Sequence, residues 1–138
     1  KSSNVCIEIT ESVFAANLGE INIIIEELKE HNVKIAIDDF GTGYSSLARE
    51  GELNVDCLKI DKYFVDNLLI VGEEKAITGD IVSIAHKFKH ITIAEGVETE
   101  TQRKYLEKYN CDKIQGYLIS PPLDEDSALS FLKEYNGR

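Results

Sequence analysis

Five short runs rich in β-branched residues alternate with helical patterns, and each run carries a charged or amide side chain near its C-terminal end. The runs are Val5–Thr10, Val33–Asp39, Val55–Ile60, Ile91–Ala94 and Lys113–Leu118. Between them, Ile21, Ile24, Ile25 and Leu28 recur at helical spacing within Glu20–His31, and Ile77, Ile81, Ile84, Ala85 and Phe88 form one stripe within Glu73–Phe88. Tyr105, Leu106 and Tyr109 mark a third helix. Ala128, Leu129, Leu132 and Tyr135 mark a fourth with Asp124 as its N-cap, and a shorter helix is expected to start near Ser45. Strands joined through helices pair in parallel, so this order predicts an α/β fold.

The placement of the polar residues narrows the fold further. Glu8, Asp38, Lys59, Glu95 and Gln115 all fall late in, or just after, their runs. In a βα barrel those strand ends form one face, where the loops build the active site. Alternation along the strands agrees: Val5, Ile7 and Ile9 would pack under helices, while Cys6, Glu8 and Thr10 would face the barrel axis. Ile35 and Ile37 oppose Ala36 and Asp38, and Leu58 and Ile60 oppose Cys57, Lys59 and Asp61. The fourth run conflicts with this scheme. Glu95 has the parity of Ile91 and Ile93, so it reaches the axis only if the strand ends or bulges before it.

Composition excludes several classes of function. The 138 residues carry 25 Asp and Glu against 15 Lys and Arg, a formal charge of −10, which argues against a broad basic face for DNA or anionic membranes. No apolar stretch approaches the ~20 residues of a membrane helix, so no direct membrane contact is expected from this segment. Three scattered cysteines, Cys6, Cys57 and Cys111, read as small buried thiols in a reducing cytoplasm. The chain opens at Lys1 and contains no methionine, and is read as a piece of something longer.

The barrel scheme gathers Glu8, Asp38, Asp39, Lys59, Glu95 and Gln115 into one cleft. Four carboxylates in one cleft repel each other and are costly to desolvate, a conflict that a cation resolves. Oxygen ligands without His or Cys favour hard ions such as Mg²⁺ or Mn²⁺. Adjacent Asp38 and Asp39, where strand alternation breaks down, could serve two metals, a recurrent device for phosphoester cleavage. Lys59 could hold the attacking water or offset charge on the phosphate. Asp61 reads equally well as the N-cap of a following helix. The segment Phe40–Leu47 has Gly41 and Gly43 and forms a strand-to-helix loop, with Ser45 as a possible cap, but does not match a dinucleotide fingerprint. His31, His86 and His90 lie in or just after helices without an evident partner, and Lys29/Glu30 and Arg103/Lys104 read as solvated helix faces.

At these residues the chain resembles the EAL family of bacterial cyclic-di-GMP phosphodiesterases. The blocks are Glu8-Ile9-Thr10-Glu11-Ser12, Asp38-Asp39-Phe40-Gly41-Thr42-Gly43-Tyr44-Ser45-Ser46-Leu47, Leu58-Lys59-Ile60-Asp61, Ala94-Glu95-Gly96-Val97-Glu98-Thr99 and Gln115-Gly116-Tyr117. The second block is specific by itself, and all five occur in family order. The resemblance implies a TIM-like (β/α) barrel that hydrolyses cyclic-di-GMP to linear pGpG with two Mg²⁺ or Mn²⁺ ions. Glu8 and Asp38 would ligate one metal, and Asp38 would bridge to a second beside Asp39 and Glu95. Lys59 would contact the attacking water or phosphate. Glu98, Gln115 and Asp61 would support the ligands, waters or substrate. Glu11 would hold the loop that carries Gly41, Gly43, Tyr44 and Ser45, which the family links to dimerisation and regulation.

The glutamate of the family's E-A-L motif and a strand Asn ligand are absent, because the resemblance begins at about the fourth barrel strand. The expectation is a partial TIM-like barrel, roughly the last five strands with their helices. On this reading residues 1–138 are the C-terminal portion of a single EAL domain. A partial barrel exposes two strand edges and a sheet face, so a homodimer or an element-swapped oligomer is expected. The segment alone is expected to be catalytically inactive. The parent is expected to be cytoplasmic, or anchored to a membrane through other domains. The alternative is a non-catalytic cyclic-di-GMP receptor or interaction module.

Overall fold

A computed structural model describes residues 1–10, 12, 17–41, 52–72 and 75–136. Five strands form one parallel sheet in sequential order: β1 (Cys6–Thr10), β2 (Lys34–Phe40), β3 (Cys57–Ile60), β4 (Ile91–Ala94) and β5 (Lys113–Ile114). Each strand pairs with the next one in the chain, the order of a barrel wall, with no reversal of strand order as in doubly wound sheets. The described helices are α1 (Leu18–Glu30), α2 (Lys62–Val71), α3 (Thr78–Lys87), α4 (Glu100–Lys108) and α5 (Glu125–Asn136).

The sequence pattern located most of these elements and misjudged some limits. β4 occupies the expected residues, and Asp124 caps α5, its carboxylate accepting the Ser127 amide at 2.8 Å. β5 is only two residues long, so Gln115 lies beyond the strand. The helix expected within Glu73–Phe88 begins at Thr78, five residues later than its pattern suggested. Helix α2 was missed because its apolar residues run past the face formed by buried Phe64, Val65 and Leu68 onto exposed Leu69, Ile70 and Val71, which blurs the helical period. Its start was nevertheless marked by Asp61, whose side chain caps the Tyr63 amide at 2.8 Å. The helix expected near Ser45 lies outside the described residues.

Helices α1 to α4 cover one face of the sheet. Ile35, Ile37 and Phe40 of β2 and Leu58 and Ile60 of β3 pack with Ile25 of α1, Phe64 of α2 and Ile81, Val82 and Ala85 of α3. Ala94 of β4 joins Val65 and Leu68 of α2 and Tyr105 and Leu106 of α4 in a second cluster. The opposite face carries Cys6, Glu8, Lys34, Ala36, Asp38, Cys57 and Lys59, as the register requires.

Register also settles the conflict in β4. Lys59 pairs with Ile93, and Ile60 with Ala94. Paired residues share a face, so Ile91 and Ile93 point to the axis while Thr92 and Ala94 point to the helices. Glu95 therefore continues on the axis side by ordinary alternation. The expectation failed because it assumed that isoleucine faces the helices; here buried Thr92 does, satisfied through hydrogen bonds with Asp112.

Two aspartates bind the N-terminal ends of the strands in the same way. Asp56, just before β3, accepts the Ile35 amide of β2 at 3.0 Å and pairs with Lys34 and Lys29. Asp112, just before β5, accepts the Thr92 amide and hydroxyl of β4 and the ring of His86, each at 2.8 Å. Burial would raise both carboxyls, but these bonds outweigh it and hold them below the usual range. His86 thus has a partner and Lys29 crosses to Asn54 and Asp56, both contrary to expectation. His90 is buried; its Nδ1 donates to the Val55 carbonyl at 3.2 Å. Of the cysteines, only Cys57 is fully buried, because Cys6 sits on the outer strand β1.

Candidate metal centre at the strand ends

The C-terminal ends of β1 to β4 converge on one ammonium group. Lys59 Nζ lies 2.8 Å from Glu8 Oε2, 3.0 Å from Asp38 Oδ1 and 2.8 Å from Glu95 Oε1. Its side chain is only 6 % exposed, whereas Glu8 at the outer strand is 47 % exposed. Burial pulls Lys59 down, but its bonds to Glu8, Glu95 and Asp38 overcome that, and it stays protonated well above the usual lysine range.

A bulge brings the neighbouring aspartates to the same cleft. Ile37 pairs with Leu58 but Phe40 with Ile60, so β2 spends one residue more than β3 over this interval. Asp39 adopts φ 54°, a left-handed conformation that Asp tolerates better than most residues. Ile37 and Phe40 thereby both remain in the core, while Asp38 and Asp39 both serve the cleft. The Asp38 carboxylate closes the turn by accepting the Asp39 amide at 3.0 Å.

Ligand oxygens of Asp38, Asp39 and Glu95 all lie within 4.8 Å of one another. Asp38's charge, then burial and the nearby Asp61, raise the Asp39 carboxyl above its ordinary range. Burial raises Glu95 despite the opposing Lys59 ammonium. The Asp39 shift marks a site with more negative charge than Lys59 neutralises. An all-oxygen donor set with excess charge fits a hard divalent cation, so Asp38, Asp39 and Glu95 could hold one, with Glu8 tied to them through Lys59.

The other expected residues separate into three groups. Asp61 both caps α2 and lies against Asp39. Glu98 bonds Lys62 Nζ at 2.8 Å, and Gln115 is exposed after β5, its backbone linked to Ala94 and Val97. Gly41 has φ 95°, and a Cβ there would meet the Phe64 ring at 2.6 Å, so both conformation and space call for glycine. Glu11, Gly43, Tyr44 and Ser45 lie outside the described residues.

Two residues of this region escaped the sequence reading. Lys62 Nζ also pairs with Asp66 at 3.1 Å. Buried Gln102 accepts the Glu98 and Thr99 amides at 2.9 Å each. Both carried a signal: Lys62 and Asp66 stand four apart on a helix, and Thr99-x-x-Gln102 is a capping box.

Parallel strands in barrel order, with acids and a lysine gathered at their C-terminal ends, define a βα-barrel type of protein with a carboxylate site suited to divalent cations. The chain belongs to the EAL domain family, whose sequence profile matches residues 1–122. It is 38 % identical to the cyclic di-GMP phosphodiesterase NbdA of Pseudomonas aeruginosa over 94 % of its length, and spans 16 % of that relative. Among solved structures, it matches the EAL domain of Mycobacterium smegmatis DcpA with a TM-score of 0.89 and 36 % identity, covering 97 % of this chain and 60 % of that one. It matches Klebsiella pneumoniae BlrP1, in a complex with manganese and cyclic-di-GMP, with a TM-score of 0.77 and 31 % identity, covering 88 % of this chain and 31 % of that one. The fold is thus part of a TIM-like barrel.

Proposed function

We propose that this segment is the C-terminal portion of an EAL domain whose parent protein hydrolyses cyclic-di-GMP to linear pGpG. The observation that carries this reading is the convergence of Asp38, Asp39 and Glu95 within 4.8 Å, beside a buried lysine that bonds Asp38 and Glu95. Divalent cations held there supply counter-charge for a phosphodiester and lower the pKa of a water. Glu8 and Asp38 would hold one cation, and Asp38, Asp39 and Glu95 a second. Lys59 orients the attacking water by hydrogen bonding and offsets charge on the phosphate oxygens. One water adds across one P–O bond, leaving a terminal phosphate on one nucleotide and a free hydroxyl on the other. Glu98, Gln115 and Asp61 support the ligands and waters, and Glu11 holds the loop of Gly43, Tyr44 and Ser45. The similarity to NbdA and to the BlrP1 complex supports this choice of substrate and the use of a divalent cation such as Mn²⁺.

The segment alone is inactive on this reading, because the rest of the barrel completes the ligand set and covers the axis face, where Ile91 and the edge of β1 are exposed. A second copy of the segment covers the same surface when the rest of the barrel is missing. The test is hydrolysis of cyclic-di-GMP by the full-length parent with Mg²⁺ or Mn²⁺. Lys59→Met is expected to lower turnover by about 10²–10³-fold, the usual effect of removing one electrostatic stabiliser. Binding of cyclic-di-GMP without turnover by the unmutated parent refutes the enzyme reading. Metal-dependent turnover by the isolated segment refutes its inactivity.

A further inference from the structure

We infer that Gln102 and Lys62 are positioning residues that set where Glu95 stands relative to Lys59, and hence how tightly the site holds its divalent cation. This rests on the metal-site reading above. Glu95 is the last residue that strand pairing holds, its amide donating to the Ile60 carbonyl at 3.0 Å, and the turn that follows it to Thr99 is placed by other contacts. That turn is fastened to helix α2 at two points. Lys62, in the first turn of α2, bonds Glu98 Oε1 at 2.8 Å and approaches the Gly96 carbonyl at 3.5 Å. Its aliphatic stem fills the space a Cβ at Gly96 would occupy, and Gly96 has φ 65°.

Gln102, only 1 % exposed, supplies the second fastening. Its Oε1 accepts the Glu98 and Thr99 amides at 2.9 Å, and its Nε2 donates to the Val65 carbonyl of α2 at 3.3 Å. Helix α2 itself follows β3 directly, through the Asp61 cap. One rigid helix therefore connects the strand that carries Lys59 to the turn that follows Glu95. A capping box needs Gln102 only to bond backbone amides of its own helix terminus. The bond to Val65 goes further and ties that terminus to α2.

The experiment is a Mn²⁺ titration of the full-length protein, read by electron paramagnetic resonance, with circular dichroism as the check on folding. Gln102→Ala is expected to weaken Mn²⁺ binding about tenfold, as removal of groups that orient ligands commonly does. Its kcat on cyclic-di-GMP falls at limiting Mn²⁺ and recovers at saturating Mn²⁺, with KM for the nucleotide unchanged. Gln102→Glu keeps the oxygen that accepts the two amides but loses the donor to the Val65 carbonyl, so it is expected to weaken Mn²⁺ binding nearly as much as Gln102→Ala. Should Gln102→Ala fail to fold, Lys62→Met, at an exposed position, carries the test with a several-fold loss of affinity. Folded variants that bind Mn²⁺ as tightly as the unmutated protein overturn the inference. An unmutated protein that binds no Mn²⁺ overturns the metal-site reading itself.

Discussion

Replacing Lys59 with methionine removes the ammonium that bonds Glu8, Asp38 and Glu95, a cluster of acids that cannot all move away. At about 3 Å and an effective dielectric of about 20, each of its ion pairs corresponds to roughly 5 kcal/mol of attraction before desolvation. Desolvation of Lys59, whose side chain is 6 % exposed, cancels much of that sum, and Glu8 at 47 % exposure turns to water once its partner is gone. Asp38 and Glu95, at 24 % and 19 %, cannot do so fully. Removing one partner of a buried pair costs about 3–5 kcal/mol, and the half-exposed Glu8 places this case near 3. With an m-value of about 2 kcal/mol/M, the urea midpoint falls by about 1.5 M in EDTA at pH 7. Two further measurements separate electrostatics from lost packing. Mn²⁺ replaces the missing charge and narrows the gap between the proteins. Acid narrows it too, because the Glu95 carboxyl, which burial holds above its ordinary range, protonates early as pH falls and no longer needs the ammonium. Equal urea midpoints in EDTA at pH 7, or a gap indifferent to both Mn²⁺ and pH, would refute the reasoning.

Asp112→Ala leaves the amide and hydroxyl of fully buried Thr92 without their acceptor and is expected to cost about 2–3 kcal/mol in urea unfolding, while Asp112→Asn retains part of it. Burial holds the His90 imidazole below its ordinary pKa, so the folded state resists protonation there. Its stabilising share is complete above the unfolded value of about 6.5 and declines as pH falls from there toward the folded pKa. His90→Gln is expected to flatten the pH dependence of the urea midpoint between about 7 and 5.5; an unchanged profile contradicts this.

The parts of the site set by strand alternation were legible in the amino-acid order. Glu8, Asp38 and Lys59 lie on the face that a period of two assigns them, because their neighbours Ile7, Ile37 and Leu58 are unambiguously apolar. Glu95 stands at the end of a run, and its parity with Ile91 and Ile93 points away from the axis only if those isoleucines face the helices. Periodicity identifies which residues share a face but not which face meets the helices, and in β4 the threonine does. Helix α2 was hidden because its apolar residues continue past the buried face, with Leu69, Ile70 and Val71 exposed, which blurs the helical period.

By itself, then, the sequence determined the alternation of strands and helices, the collection of acids and one lysine at strand ends, and the glycine at position 41 that its turn requires. Tertiary structure decided what those groups do to one another. A bulge in β2 turned two consecutive aspartates into one cleft, and register with β3 brought Glu95 to the Lys59 ammonium. Gln102 became a brace between two elements only when α2 packed beside α4. The physical reason is one of range. Propensity, capping and alternation act over a few residues, whereas charge compensation and ligand geometry depend on distances between atoms that lie tens of residues apart in the chain.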